Sequence, residues 1–320
     1  MNARVAIVGT GSIGVRHLQG LARCERVTKL DIVDKSKLAR ERAADSLAEI
    51  AGRKWEEVTF HADISTLSAP NIAIVATNAR ERAGAVSALV DIGARLFVLE
   101  KVLFTKLSDY DVIGRLFAER RISAWVNCGR RAYPRAGVIK DALNGRPFQY
   151  QVAGQGWGLA CNAIHHIDEV AMLSGQTDIK LTTDELAPGS IPAKREGYVE
   201  FIGKISGSLQ GGSSFDAACT AGQASDRTVT ITCDGMQLSV SQFRQTLTIE
   251  NGSSVRTEPF PIPLQSEATT AHMNNLLDGG APALPDYATS AKLHRTMLSA
   301  FLDHLRRSSG DPTINECPIT

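Results

Sequence analysis

The chain has 320 residues, of which 43% are hydrophobic and 22% charged, and its formal net charge is +1. That length exceeds one ordinary core and predicts two domains. The balanced charge gives no general pull toward nucleic acid or a membrane surface, and no apolar run reaches the length of a membrane span. The six cysteines are scattered, with no close pair at metal-ligand spacing. The expectation is therefore reduced thiols, no metal and a cytoplasmic protein, because the N-terminus also lacks a signal-peptide pattern.

In chain order the first elements alternate. A buried strand is predicted at 3–8, followed by Gly9-Thr10-Gly11-Ser12-Ile13-Gly14 and a helix over 15–22. Further strands are predicted at 27–33, 58–60, 71–76, 95–99 and 123–127, with helices at 36–50, 79–92 and 108–118 between them. Repeated strand–helix units imply a doubly wound parallel sheet covered on both faces. Beyond it, helices are predicted at 135–143 and 163–173. Strands follow at 197–201, 206–209, 228–232, 236–240 and 246–249, with hairpin turns at Asp234-Gly235 and Asn251-Gly252. Two helices, 267–277 and 288–305, close the chain. The fold class is α/β, with an N-terminal Rossmann domain (1–125) before an α+β domain with a mainly antiparallel sheet (126–320).

The glycine segment carries the strongest chemical signal. Strand, GxGxxG, helix and second strand are followed by Asp34, twenty residues after Gly14. This is the arrangement of a dinucleotide-binding turn. The first glycine permits the turn, the second lets backbone approach a pyrophosphate, and the third lets helix and strand pack closely. Free N–H groups at Ser12 and Ile13, at the positive end of the helix, suit phosphate. Asp34 would accept hydrogen bonds from the ribose hydroxyls and repel a 2′-phosphate, so NAD is expected, with NADP second because Lys35 and Lys37 lie nearby. The competing reading is a glycine-rich turn with no ligand.

Three later groups are candidates for the rest of a site. Lys101, after the strand ending at Leu99 and Glu100, sits where ligands of doubly wound sheets bind. An ammonium there can stabilise a developing alkoxide, although a solvated lysine fits the position too. Asn127 stands just before Arg130 and Arg131, which can clamp an anionic group or pair with carboxylates. In Cys161-Asn162-Ala163-Ile164-His165-His166-Ile167-Asp168, helical spacing puts His165 beside the apolar stripe and turns His166 largely away from it. His165 is then the candidate proton acceptor, against a plain surface pair. Trp157 offers a stacking surface, or packs inside.

Together these residues resemble the Gfo/Idh/MocA oxidoreductase family, which includes glucose–fructose oxidoreductase and inositol dehydrogenase. The resemblance rests on Gly9, Gly11 and Gly14, Asp34, Ala76-Thr77-Asn78, Glu100-Lys101, Asn127 with Arg130-Arg131, and His165-x-Ile167-Asp168. It implies NAD-dependent hydride transfer at a hydroxyl or ketone carbon of a sugar, polyol or sugar nucleotide. Thr77, Asn78, Glu100 and Lys101 would line the cofactor. Lys101 would also hold substrate, and His165 would be the acid/base. Asn127, Arg130, Arg131, Trp157, Cys161 and Asn162 would contact substrate, and the second sheet would make a homodimer or homotetramer. Val102 replaces the family's proline, Asn78 another proline, and Arg82 a common histidine. Cys161 replaces the catalytic Asp four residues before the histidine. A thiol does not orient an imidazole as a carboxylate does, so a non-catalytic sensor on the same fold is the alternative.

Overall fold

The computed structural model describes residues 2–50 and 55–320. Among them no helix is long and apolar enough to cross a membrane. The elements of the first half are β1 (Ala3–Val8), α1 (Ser12–Leu21), β2 (Val27–Val33), α2 (Lys37–Ala48), β3 (Glu57–His61), β4 (Ile72–Val75), α3 (Ala79–Asp91), β5 (Leu96–Leu99), α4 (Leu107–Arg120) and β6 (Ser123–Val126). Then come α5 (Ala136–Leu143), β7 (Gln149–Gln155), α6 (Leu159–Ser174), β8 (Ile179–Leu186), β9 (Ile191–Pro192), β10 (Val199–Glu200), β11 (Gly203–Leu209) and β12 (Ser214–Thr220). The last are β13 (Thr228–Cys233), β14 (Met236–Ser241), β15 (Thr246–Asn251), β16 (Ser254–Pro259), α7 (Gln265–Leu277) and α8 (Tyr287–Ser309).

The chain forms two compact units. The first holds Met1–Phe104, Ser108–Gly129 and Pro263–Ala288, and the second Thr105–Leu107, Arg130–Ile262 and Thr289–Thr320. In the first, six parallel strands run in the order β3-β2-β1-β4-β5-β6. The order reverses at β1 and β4, so a crevice opens beyond their carboxyl ends. Val5, Ile7, Ile32, Ile74 and Val98 are buried with Leu18 and Leu21 of α1 and Met273 and Leu276 of α7. Each such side chain contributes about 1.5–3 kcal/mol.

This division departs from a single boundary near residue 125, because the segment containing α7 belongs to the first unit. Its reason is close packing of α7 on α1. A Cβ at Gly20 would sit 2.4 Å from the Ser266 carbonyl oxygen. Thr270 Oγ1 donates to the Gly20 oxygen at 2.9 Å, and Arg26 donates to the carbonyls of Asn274 and Leu277 at the end of α7. Nothing in the sequence pattern of 263–288 announces that partner.

The second unit is built on an eight-stranded sheet, β16-β15-β14-β13-β7-β12-β11-β8, antiparallel except for the β12–β7 pair. The sequence pattern had no strand at β7, β8, β12 or β16. β7 alternates Tyr150 and Val152 inward with Gln149 and Gln151 outward, a short signal beside a helix start. One sheet face buries Tyr150, Phe215, Ala217, Val229, Ile231 and Leu238. The other carries Gln151, Thr230, Thr232, Ser239 and Thr248, half-buried or exposed. The 197–201 strand shrinks to β10, paired only with β9, and α6 begins at Leu159, four residues before the helical period becomes clear.

Candidate functional site

In the first unit the turn after β1 has the shape that the glycines require. A Cβ on Gly14 would lie 2.0 Å from the Gly9 carbonyl oxygen, so helix and turn touch there. A Cβ on Gly11 would meet nothing within 4 Å. The space beside Gly11 is open, and no side chain caps the start of α1. Ser12 and Ile13 are exposed on that first turn. This is a concave backbone cradle at the positive end of a helix, the setting for phosphate. The residues present therefore fit a dinucleotide.

Asp34, half-buried just past β2, holds the turn from the other side. Its Oδ2 accepts from the Thr10 N–H at 2.8 Å and from the Thr10 hydroxyl at 3.2 Å, and Oδ1 accepts from the Ser36 N–H at 2.9 Å. After β4, Asn78 caps α3: its Oδ1 accepts from the Glu81 N–H at 3.1 Å, and its amide nitrogen donates to Glu81 Oε2 at 3.0 Å. An N-cap is a good use of asparagine where a proline would otherwise start the helix. Thr77 Oγ1 is enclosed and finds no hydrogen-bond partner among the described residues.

Glu100 follows β5 directly and is buried. His17 Nε2 lies 3.0 Å from its Oε1, and the Asn127 amide donates to the same oxygen. Burial works to raise the Glu100 pKa. Hydrogen bonds from His17 and Asn127, with the charges of His17 and Lys101, outweigh it and hold the carboxyl below its ordinary range. The network continues from His17 Nδ1 to Thr269 Oγ1 at 2.8 Å and from Asn127 to Gln265 at 3.0 Å, both on α7. Asn127 is thus committed to Glu100 and Gln265 through its nitrogen, while its Oδ1 has no hydrogen-bond partner among the described residues. Lys101 follows, half-buried, and its peptide to Val102 is cis. Arg82, fully buried on α3, donates to the carbonyls of Thr77, Val102 and Leu103. It ties the turn after β4 to the segment after Lys101.

In the second unit the two arginines are engaged by carboxylates. Arg130 NH1 donates to Glu169 Oε2 at 2.9 Å, and Arg131 grips Asp168 through two bonds of 2.8 and 2.7 Å. Of the two alternatives, carboxylate pairing is the one observed, and both arginines tie to α6 inside their own unit. His166 is corrected. It is fully buried and does not turn away from the core. Arg130 NH2 lies 3.4 Å from His166 Nε2, and the Tyr150 hydroxyl lies 2.7 Å from Nδ1 and donates to Glu169. Burial lowers the His166 pKa well below normal, with Arg130 adding to the effect. Burial raises that of Asp168, partly offset by Arg131. Helix α6 is covered nearly all round, so its polar residues face inward partners that periodicity does not reveal.

The first turn of α6 is closed by Glu200, whose carboxylate accepts from the Ala160 N–H at 2.7 Å and the Cys161 N–H at 3.3 Å. The Asn162 amide donates back to the carbonyls of Trp157 (2.7 Å) and Gly158 (3.0 Å), which ties it to the loop before α6. Trp157 is buried and donates from Nε1 to the Ala218 carbonyl at 2.8 Å. His166 meets it edge-on, and the guanidinium of Arg227 lies 5.5 Å from its ring centre. The packing alternative for Trp157 is the one observed. Cys161 and His165 remain half-buried on α6, one turn apart. Arg227, Glu200, His17 and Glu169 carry no motif, and sequence reasoning had no means of selecting them.

No family model and no curated protein matches the sequence. Solved structures do match in fold. The chain is similar to an oxidoreductase from Agrobacterium radiobacter in complex with NAD+, L-tartaric acid and magnesium, with 15% identity and TM-score 0.75, covering 97% of each chain. It is similar to UDP-N-acetylglucosamine 3-dehydrogenase GnnA from Acidithiobacillus ferrooxidans, with 15% identity and TM-score 0.72, covering 94% of this chain and 97% of that one. A levoglucosan dehydrogenase in complex with NADH and levoglucosan gives 16% identity and TM-score 0.74, covering 96% and 98%. At such identities the likeness establishes the fold: a Rossmann unit followed by a unit with a large, mainly antiparallel sheet.

Proposed function

We propose that the protein is an NAD(P)-dependent oxidoreductase acting on a hydroxyl or ketone carbon of a carbohydrate: a sugar, a polyol or a sugar nucleotide. The observation that carries this reading is the cradle at Gly9, Gly11 and Gly14, with open space at Gly11 and an uncapped helix start. Ser12, Ile13 and Gly14 would hold the pyrophosphate, Asp34 the ribose, and Thr77, Asn78 and Glu100 the rest of the dinucleotide. The nicotinamide, when bound, supplies the acceptor or donor of hydride. Lys101 would bind the substrate oxygen and stabilise negative charge that develops there. His165 would take the hydroxyl proton as the carbon loses hydride and return it in reduction. The solved neighbours that bind NAD+ or NADH, or act on sugars, support the same assignment by fold.

The carboxylate face of Asp34 supports NAD over NADP, because a 2′-phosphate would meet a like charge. Replacing it, Asp34→Ser, is expected to shift the NADP:NAD ratio of affinities upward by about tenfold, roughly 1.4 kcal/mol. A wild type that already prefers NADP removes Asp34 from the ribose. Association as a homodimer or homotetramer through the eight-stranded sheet is what the family resemblance implies. The scattered cysteine spacing, with no close pair in the sequence, supports a reducing, cytoplasmic setting.

The competing reading is a cofactor-binding sensor, favoured by Cys161 one turn ahead of His165. One experiment separates them. NADH binding is followed by nicotinamide fluorescence, and then sugars and sugar nucleotides are screened by absorbance of the reduced cofactor. Turnover that His165→Ala and Lys101→Ala each suppress supports the enzyme. Binding without turnover on any substrate, unaffected by His165→Ala, supports the sensor.

A further inference from the structure

Four arginines of the second unit have carboxylate partners: Arg130 with Glu169, Arg131 with Asp168, Arg135 with Glu258 and Arg146 with Asp234. Arg227 does not. Among the described residues no carboxylate lies within ion-pair distance of its guanidinium, and no side-chain or backbone acceptor receives its N–H groups. Yet it is half-buried. Its stem packs against the backbone of β7, where a Cβ on Gly154 would be 3.1 Å from Arg227 Cγ. Its head rests against Trp157.

The Arg227 nitrogens are not shut off from solvent, so they remain open to a ligand. A cation over an indole gains about 0.5–2 kcal/mol, but the ring satisfies none of the five N–H donors. Burial, reinforced by the charge of Arg130, works against the charged form and lowers the Arg227 pKa. The nearby carboxylates are committed elsewhere. Asp226, its neighbour in the chain, accepts from Ser241 Oγ at 2.9 Å and from the Phe243 N–H at 3.1 Å. Glu200 closes the first turn of α6. Cys161, on that turn, is the ionisable group of α6 that works in favour of the Arg227 charge. The stem lies against β7 and the head over Trp157, contacts that limit the ordering cost of binding.

We propose that Arg227 is an anion-binding residue of the second unit, set on Trp157 to receive the carboxylate or phosphate group of an acidic or phosphorylated sugar. This deepens the oxidoreductase reading by naming its substrate class, and rests on that reading for calling the ligand a substrate. A planar guanidinium accepts two oxygens of either group in parallel bonds.

The test is calorimetric titration of the whole protein with D-glucuronate, glucose 6-phosphate and glucose, alongside NADH. Wild type is expected to bind at least one anionic sugar about thirtyfold more tightly than glucose, the value of a charge-assisted hydrogen bond of ordinary strength. Arg227→Met abolishes that preference and Arg227→Lys keeps part of it. Preference for glucuronate alone identifies a carboxylate site, and for glucose 6-phosphate alone a phosphate site. Equal binding of all three, binding of none, or a preference that survives Arg227→Met overturns the proposal. NADH binding with turnover of neutral sugars and no anion preference leaves the oxidoreductase reading intact while the anion site fails. Anion preference without NADH binding does the reverse.

Discussion

Helices α1 and α6 both begin at a glycine, and their first turns are used in opposite ways. At α1, Gly11 precedes a turn with no side-chain cap and open space beside it. At α6, Gly158 precedes a turn whose N–H groups are filled by both oxygens of Glu200. The helix start is the same electrostatic object in each case, a cluster of donors at the positive end of a dipole. In one it is satisfied from within, which fixes α6 in its unit. In the other it stays open, and it is there that the cofactor site is proposed. The composition of a helix start does not decide which outcome follows; what the rest of the chain brings to it does.

The most severe way to break the contrast is Gly14→Ala. With a Cβ 2.0 Å from the Gly9 oxygen, the turn must move, and a loss of about 3 kcal/mol or more is expected. Thermal unfolding should register it together with loss of NADH binding. Gly11→Ala is the sharpening control. Its Cβ enters open space, so the melting temperature should hold while NADH affinity falls about tenfold, because the methyl meets only the ligand.

Acidification comes next in size. His272 on α7 is buried, and neither ring nitrogen has a partner among the described residues. Burial, with a smaller push from His17, lowers its pKa from 6.5 to about 4. The folded pKa lies below the unfolded one, so the unfolded chain takes up the proton first as pH falls. Stability should therefore be fully present above pH 6.5 and decline toward pH 4, by about 3 kcal/mol for this residue at the lower end. His166, also depressed, adds to the decline in the same direction. Denaturant titrations at pH 7 and pH 4.5 measure the difference, and His272→Leu should shrink it. A variant with an unchanged pH slope would place the effect elsewhere.

Glu200→Ala is the mildest. Losing the cap of α6 should cost about 1–2 kcal/mol, with Glu200→Gln recovering part of it and NADH affinity untouched. If NADH binding falls in step with stability, the two helix starts are not independent.

Much of the first unit was legible. The strands β1, β2, β4 and β5 are short apolar runs buried on both faces, and such runs read directly as parallel strands. The turn and Asp34 are local, within 34 residues of the start, so their order in the chain preserves their geometry. The second unit was read less well because its polar residues point inward. His166, Glu169 and Asp168 look like a solvated helix face until Arg130, Arg131 and Tyr150 are brought to them from elsewhere. Strand β7 was missed because its alternation is interrupted by Gly154 and followed at once by a helix.

The sequence by itself determined the alternation of elements, the parallel sheet and the glycine turn with its acid, because each depends on residues close together in the chain. The tertiary structure alone decided that α7 belongs with α1, that Arg130 and Arg131 are spent on carboxylates, and that Arg227 is not. Those outcomes depend on which charges meet across tens or hundreds of residues. Pairing a buried charge outweighs any local preference that a sequence pattern records.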